Sequence, residues 1–143
     1  MRLARRGFAF AALAALALVS ACGDDNNDDG GSDAVDLSGT YTIVKYETGA
    51  GATFVEVPGT EGSVELTSTN YTAIISIPGV GIIEDAGTYT ANGTATAGDF
   101  TQTSTMGRPQ ATGTYAFNSA TGELVLSTVV AGVNQRITVV EAR

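Results

Sequence analysis

Between Leu37 and Arg143 several stretches place apolar residues at alternate positions, and no window carries a convincing 3.6-residue period. In 70–77 the set Tyr71, Ala73, Ile75 and Ile77 shares one side of an extended chain. Val64 and Leu66 do the same before it, and Tyr115 with Phe117, Leu124 with Leu126 and Ile137 with Val139 follow. Side chains alternate across a strand, so this pattern describes an antiparallel sheet with one wet and one buried face. The segment is rich in Thr, Val, Ile and Tyr, with Gly and Asn at intervals, which is strand chemistry punctuated by turns. Strands are predicted over 39–47, 53–57, 62–68, 70–77, 82–91, 94–104, 111–118, 123–130 and 134–141. The expected inward set is Val64, Leu66, Ala73, Ile75, Phe117, Leu124, Leu126, Ile137 and Val139.

The links between these strands are short. Asn92-Gly93 has the composition of a two-residue hairpin turn, because both residues accept positive φ. Residues 118–122 and 131–134 are expected to close two further hairpins. Strands joined in order by hairpins meander, and a meander that closes on itself hides its edges. The expected fold is therefore all-β, a small antiparallel up-and-down barrel of eight or nine strands. A Greek-key sandwich of immunoglobulin type is the alternative, but it lacks the expected cysteine pair and tryptophan.

The start of the chain has a different composition. Arg2, Arg5 and Arg6 precede an apolar stretch from Phe8 to Val19, and Val19-Ser20-Ala21-Cys22 follows. A basic head, a short apolar run and a small-residue cleavage site make a secretory signal. The run is too short to span a bilayer as a helix, which takes about 20 residues. Val19-Ser20-Ala21-Cys22 resembles the lipobox of bacterial lipoproteins. That resemblance implies cleavage before Cys22, lipid on its thiol and acylation of its new amino group. Two or three acyl chains give stable attachment where one does not. Gly23 stands where an Asp would signal inner-membrane retention, which by the same resemblance points to the outer membrane of the cell envelope. Arg5-Arg6-Gly7-Phe8 also resembles a twin-arginine export core, although general secretion remains the expected route.

Three segments are thus expected: a signal peptide over 1–21, a lipidated cysteine with an acidic linker over 22–36, and a barrel over 37–143. The linker holds six Asp between 23 and 36 and almost nothing to bury, so disorder is its expected state. Asp25-x-Asn27-x-Asp29-Gly30 matches the front of a calcium loop, with Asp36 at the twelfth position. Ser32 at the eighth position and the lack of room for a preceding helix favour a plain tether.

Gly39-Thr40-Tyr41 recurs as Gly87-Thr88-Tyr89 and Gly113-Thr114-Tyr115. At 38–41, Ser-Gly-Thr-Tyr resembles the Gly-x-Trp start of lipocalins, with Tyr in place of Trp. The run from Gly113 to Leu126 is similar to the late hairpin of small bacterial lipocalin-like domains. The resemblance implies a barrel mouth able to hold one apolar molecule, with Arg136 packing across Tyr41. Candidate cavity-lining residues are Tyr41, Tyr71, Tyr89 and Tyr115. The apolar hairpin tip at 78–83, with Ile82 and Ile83, is the candidate interaction loop. A filled barrel acting through such loops would instead be an envelope interaction module, such as a hydrolase inhibitor or assembly factor.

Composition narrows the chemistry. The chain has no histidine, which removes the commonest general base and the commonest zinc ligand. Its single cysteine leaves no internal disulfide. Glu84 and Asp85 adjoin on a strand, so they point to opposite faces and cannot share a substrate. No catalytic, metal or cofactor site is expected. Three of the seven basic residues precede Cys22 and all fifteen acidic ones follow it, leaving a formal charge near −11 behind the signal. That argues against nucleic acid, whose binding rests on Lys and Arg neutralising phosphates. The expected partners are a membrane, through lipid on Cys22, and either a small apolar ligand or an envelope protein. Cys22→Ser is expected to abolish incorporation of a fatty-acid label into the protein; normal labelling would rule out this attachment point.

Overall fold

The computed structural model describes residues 34–143. Cys22, the segment expected to be a signal peptide and most of the acidic linker lie outside the described residues. Nine strands follow one another: β1 (Gly39–Ala50), β2 (Thr53–Glu56), β3 (Glu61–Leu66), β4 (Asn70–Ile77), β5 (Gly81–Gly93), β6 (Ala97–Ser104), β7 (Ala111–Asn118), β8 (Glu123–Val130) and β9 (Val133–Glu141). Every strand pairing is antiparallel. From β3 to β9 each strand pairs with the next, and β1 pairs with both β3 and β9, closing an eight-stranded up-and-down barrel of lipocalin-like form. The ninth strand, β2, adds to the far end of β1, with Ala50 opposite Thr53 and Glu47 opposite Glu56.

The strands lie close to their expected positions, and so does the inward face. Val64, Leu66, Ala73, Leu124, Leu126 and Val139 are buried in one core cluster, with Ile75, Phe117 and Ile137 packed against it. A slip of one residue would have turned each of these outward. The bulge between Ile43 and Lys45 is what keeps both ends of the long β1 in phase. With Val44 as the extra outward residue, Ile43 and Tyr46 both point in.

Glycine makes room for the rings. Inward aromatics face inward glycines across the sheet: Tyr71 opposite Gly87, Tyr115 opposite Gly98, and Phe100 opposite Gly113. At Gly113 a Cβ would stand 1.9 Å from the Ser127 carbonyl oxygen. At Gly98 it would meet Asn92 O at 2.2 Å and the Tyr115 ring at 2.8 Å. Only a residue without Cβ allows the neighbouring backbone and ring to approach so closely. This accounts for the repeated Gly-x-Tyr: both of its outer residues point into the barrel.

Two turns behave differently from one another. Ala131-Gly132 makes the two-residue hairpin between β8 and β9, with φ of 49° and 83°. Asn92-Gly93, by contrast, is not a turn. Both residues continue β5, opposite Asp99 and Gly98, and the chain reverses at 94–96 instead. There the Thr94 amide donates to Ala97 O at 2.9 Å, while the Thr94 hydroxyl oxygen accepts from Ala97 N at 3.2 Å. Asn92 also forms a bridge with Ala34, and the Val35 amide donates to Ala91 O at 2.8 Å. Pairing thus begins three residues before Leu37, with Val35 packed on the core.

Leu124 is fully buried, whereas Thr72 stands on the outer face. Leu124→Ala is expected to cost about 2–5 kcal/mol in chemical denaturation, and Thr72→Ala less than about 0.5 kcal/mol. The reverse ranking would contradict this register.

Candidate functional site

One end of the barrel is filled. Leu37 is buried there at the chain's entry, and the Tyr41 hydroxyl donates to its carbonyl at 2.9 Å. The Tyr89 hydroxyl donates to Thr67 O at 2.6 Å, in the β3–β4 turn, and Tyr115 donates to Thr94 O, in the β5–β6 turn. Each ring fills core volume while its hydroxyl ties a turn or the entering chain across the barrel end. Tyr89 also stacks on Phe100, with ring centroids 5.6 Å apart. These contacts leave Tyr41, Tyr89 and Tyr115 outside the cavity described next.

Towards the opposite end lies a cavity of about 210 Å³. Phe100, Leu66 and Val64 line its deeper part, and its wall includes Ile75, Ile77, Ile83, Leu126, Val130 and Ile137. Of the four candidate tyrosines, Tyr71 borders it; Tyr46 on β1 also does so. At the tip of the β4–β5 hairpin the candidate loop divides by alternation. Ile83 points into the cavity, whereas Ile82 is 71% exposed on the rim beside Val80 at 70%. Met106, on the β6–β7 loop at the same end, is exposed as well.

The polar part of the wall centres on Asp85. Its Oδ2 accepts from the Tyr71 hydroxyl at 2.7 Å and from Gln102 Nε2 at 3.3 Å. Its Oδ1 accepts from the Ser104 hydroxyl at 2.5 Å and from the Ala86 amide at 3.0 Å. Glu84, its neighbour, is exposed on the outer face, so alternation separates the two carboxylates as expected. Arg108 reaches over from the β6–β7 loop. Its Nε and Nη2 donate to Glu84 O at 3.1 and 2.9 Å, and Nε lies 3.8 Å from Asp85 Oδ1. The loop 105–110, which by composition reads as a plain solvated link, therefore forms one lip of the cavity, with Arg108 and Pro109 in its wall. The signal for this in the sequence was a loop with one basic residue in an acidic domain, which does not specify a partner 24 residues away.

Arg136 does not reach Tyr41. Tyr41 points inward opposite Glu141, while Arg136 points outward opposite Glu47. The guanidinium carbon lies 3.9 Å from the centroid of the Phe54 ring on β2, a cation–π contact, and Nη1 is 3.7 Å from Glu47. Lys45 approaches Glu47 from the other side at 3.0 Å. The added strand β2 thus supplies the ring that covers this outward ion cluster.

Among the described residues no group of His, Cys, Asp and Glu is arranged to hold a metal, and no helix is long and apolar enough to cross a membrane. No protein-family model, curated protein or solved structure matches the chain.

All five tyrosines have hydroxyls held above the ordinary phenol range, chiefly because burial disfavours the phenolate. At Tyr71 the hydrogen bond to Asp85 adds to that shift. A raised folded-state pKa contributes stability that is complete below the unfolded value near 10 and is lost as pH rises through the folded value. Ultraviolet titration is expected to show tyrosine ionisation above pH 10, coinciding with loss of the barrel's circular dichroism. Ionisation at the free-tyrosine pH in a folded barrel would contradict the closed-end geometry.

Proposed function

We propose that the protein is a lipid-anchored binding module of the cell envelope, whose barrel takes a small, largely apolar ligand in the cavity opposite its filled end. The single observation carrying this reading is the asymmetry of the interior. One end of the barrel is packed solid, while the other keeps about 210 Å³ behind a mostly aliphatic wall. On the scale of a 150 Å³ apolar cavity that admits benzene, this is room for roughly eight to nine non-hydrogen atoms. Barrels of eight strands have interiors that either fill with side chains or hold one small ligand. The described chain enters at the filled end, away from the mouth.

A second reading rests on the rim. Val80, Ile82 and Met106 leave apolar side chains exposed around the same mouth, as an envelope-protein partner would use. The two readings separate experimentally. An apolar fluorescent probe is expected to bind saturably, with little dependence on salt. Ile137→Trp, which fills the cavity from its wall, is expected to abolish that binding while preserving the circular dichroism. Ile82→Ser is expected to leave probe binding within about twofold, because its side chain lies outside. If Ile82→Ser removes probe binding and Ile137→Trp does not, the rim is the binding surface and the cavity reading fails.

A further inference from the structure

The polar groups in the cavity wall define which kind of ligand it accepts. Asp85 and Arg108 are the charged residues of the lining, and they lie 3.8 Å apart, so their fields largely cancel inside the cavity. Asp85 has no acceptor left for a cationic head group, and Arg108 stands beside a carboxylate that would repel an anionic one. Asp85 receives two donors on each carboxylate oxygen, which fills its ordinary acceptor capacity. Arg108 spends two of its five N–H groups on Glu84 O, and an anion approaching the rest would face Asp85 beside them. A cation entering this space would meet a saturated carboxylate, and an anion would meet a guanidinium whose charge Asp85 already offsets, so loss of hydration is poorly compensated for either.

Tyr71 is different. It donates its one hydroxyl proton to Asp85, so Oη offers the cavity an acceptor only. Asp85 is itself held by the other three donors, which fixes that orientation. We infer that the ligand is an uncharged amphiphile of about nine non-hydrogen atoms, whose single hydroxyl or amide group donates a hydrogen bond to Tyr71 Oη while its aliphatic or monocyclic body lies along Leu66, Ile75 and Ile137. This rests on the cavity being the binding site, and it adds the requirement for a neutral donor. A ligand lacking the donor would leave the acceptor capacity of Tyr71 Oη unused; one with a charged head would meet a site already neutralised.

Three compounds with the same chain test it: 1-octanol, octanoate and octylamine, with toluene as a body without a donor. Each is titrated into the purified protein at neutral pH, and the backbone amide shifts of Ala86 and Gln102 are followed by heteronuclear NMR. The expected result is that 1-octanol binds at least about tenfold more tightly than either ion, with shifts at both amides. Tyr71→Phe is expected to weaken 1-octanol about three- to tenfold and to leave toluene unchanged, as the loss of one hydrogen bond would. Tightest binding of octanoate or octylamine by the unmodified protein would overturn the neutral-donor assignment and leave the cavity reading standing. Equal affinity of the wild type and Tyr71→Phe for 1-octanol would also overturn it. Failure of all four compounds, toluene included, to shift any cavity amide would instead overturn the cavity reading itself.

Discussion

The packing of an inward aromatic ring against an inward glycine on the next strand is the contact on which the rest of this barrel depends. Eight strands enclose an interior barely wide enough for side chains. Three of the rings enter it where one facing position has no Cβ: Tyr71 with Gly87, Tyr115 with Gly98 and Phe100 with Gly113. Closeness of backbone and ring at these points lets the sheet curve tightly enough to bring β9 back onto β1. Remove the space, and either the ring leaves or the strands move apart.

From that packing the two ends acquire different characters. Tyr41, Tyr89 and Tyr115 put their bulk in the core and spend their hydroxyls on carbonyls of Leu37, Thr67 and Thr94, so that end is sealed by side chains and tied by hydrogen bonds. Tyr71 sits differently, opposite Gly87 and within reach of Asp85, and there the interior opens. Beyond Phe100 the inward residues are mainly aliphatic and do not meet across the barrel, which leaves the cavity. The mouth has both a neutralised polar cluster and an apolar rim, and the proposed ligand class follows from the first of these.

Much of the fold was legible from residue order alone because antiparallel meanders write their inward face directly into a two-residue period. The pairs Val64 with Leu66, Leu124 with Leu126 and Ile137 with Val139 therefore identify buried positions without any knowledge of partners. Asn92-Gly93 misleads for a local reason. Gly93 keeps a positive φ of 150° inside β5, but Asn92 is held extended by pairing with Asp99 and bridging Ala34, and the Thr94 side chain that follows supplies the turn. The site was less legible. Four tyrosines look alike in sequence, yet three close one end and one lines the cavity. Their difference lies in how far along the barrel axis each ring stands and which carbonyl or carboxylate its hydroxyl meets.

Sequence by itself determined the all-β character, the order of the hairpins and which face of each strand is buried, since periodicity and turn chemistry act within a few residues of one another. Tertiary structure alone decided which end is filled, that Arg136 meets Phe54 and Glu47 rather than Tyr41, and that Asp85 gathers Tyr71, Gln102 and Ser104 with Arg108 beside it. Those partners lie 14 to 24 residues apart or across the closure between β1 and β9. Their meeting depends on register, on the bulge in β1 and on barrel closure, which no local pattern encodes.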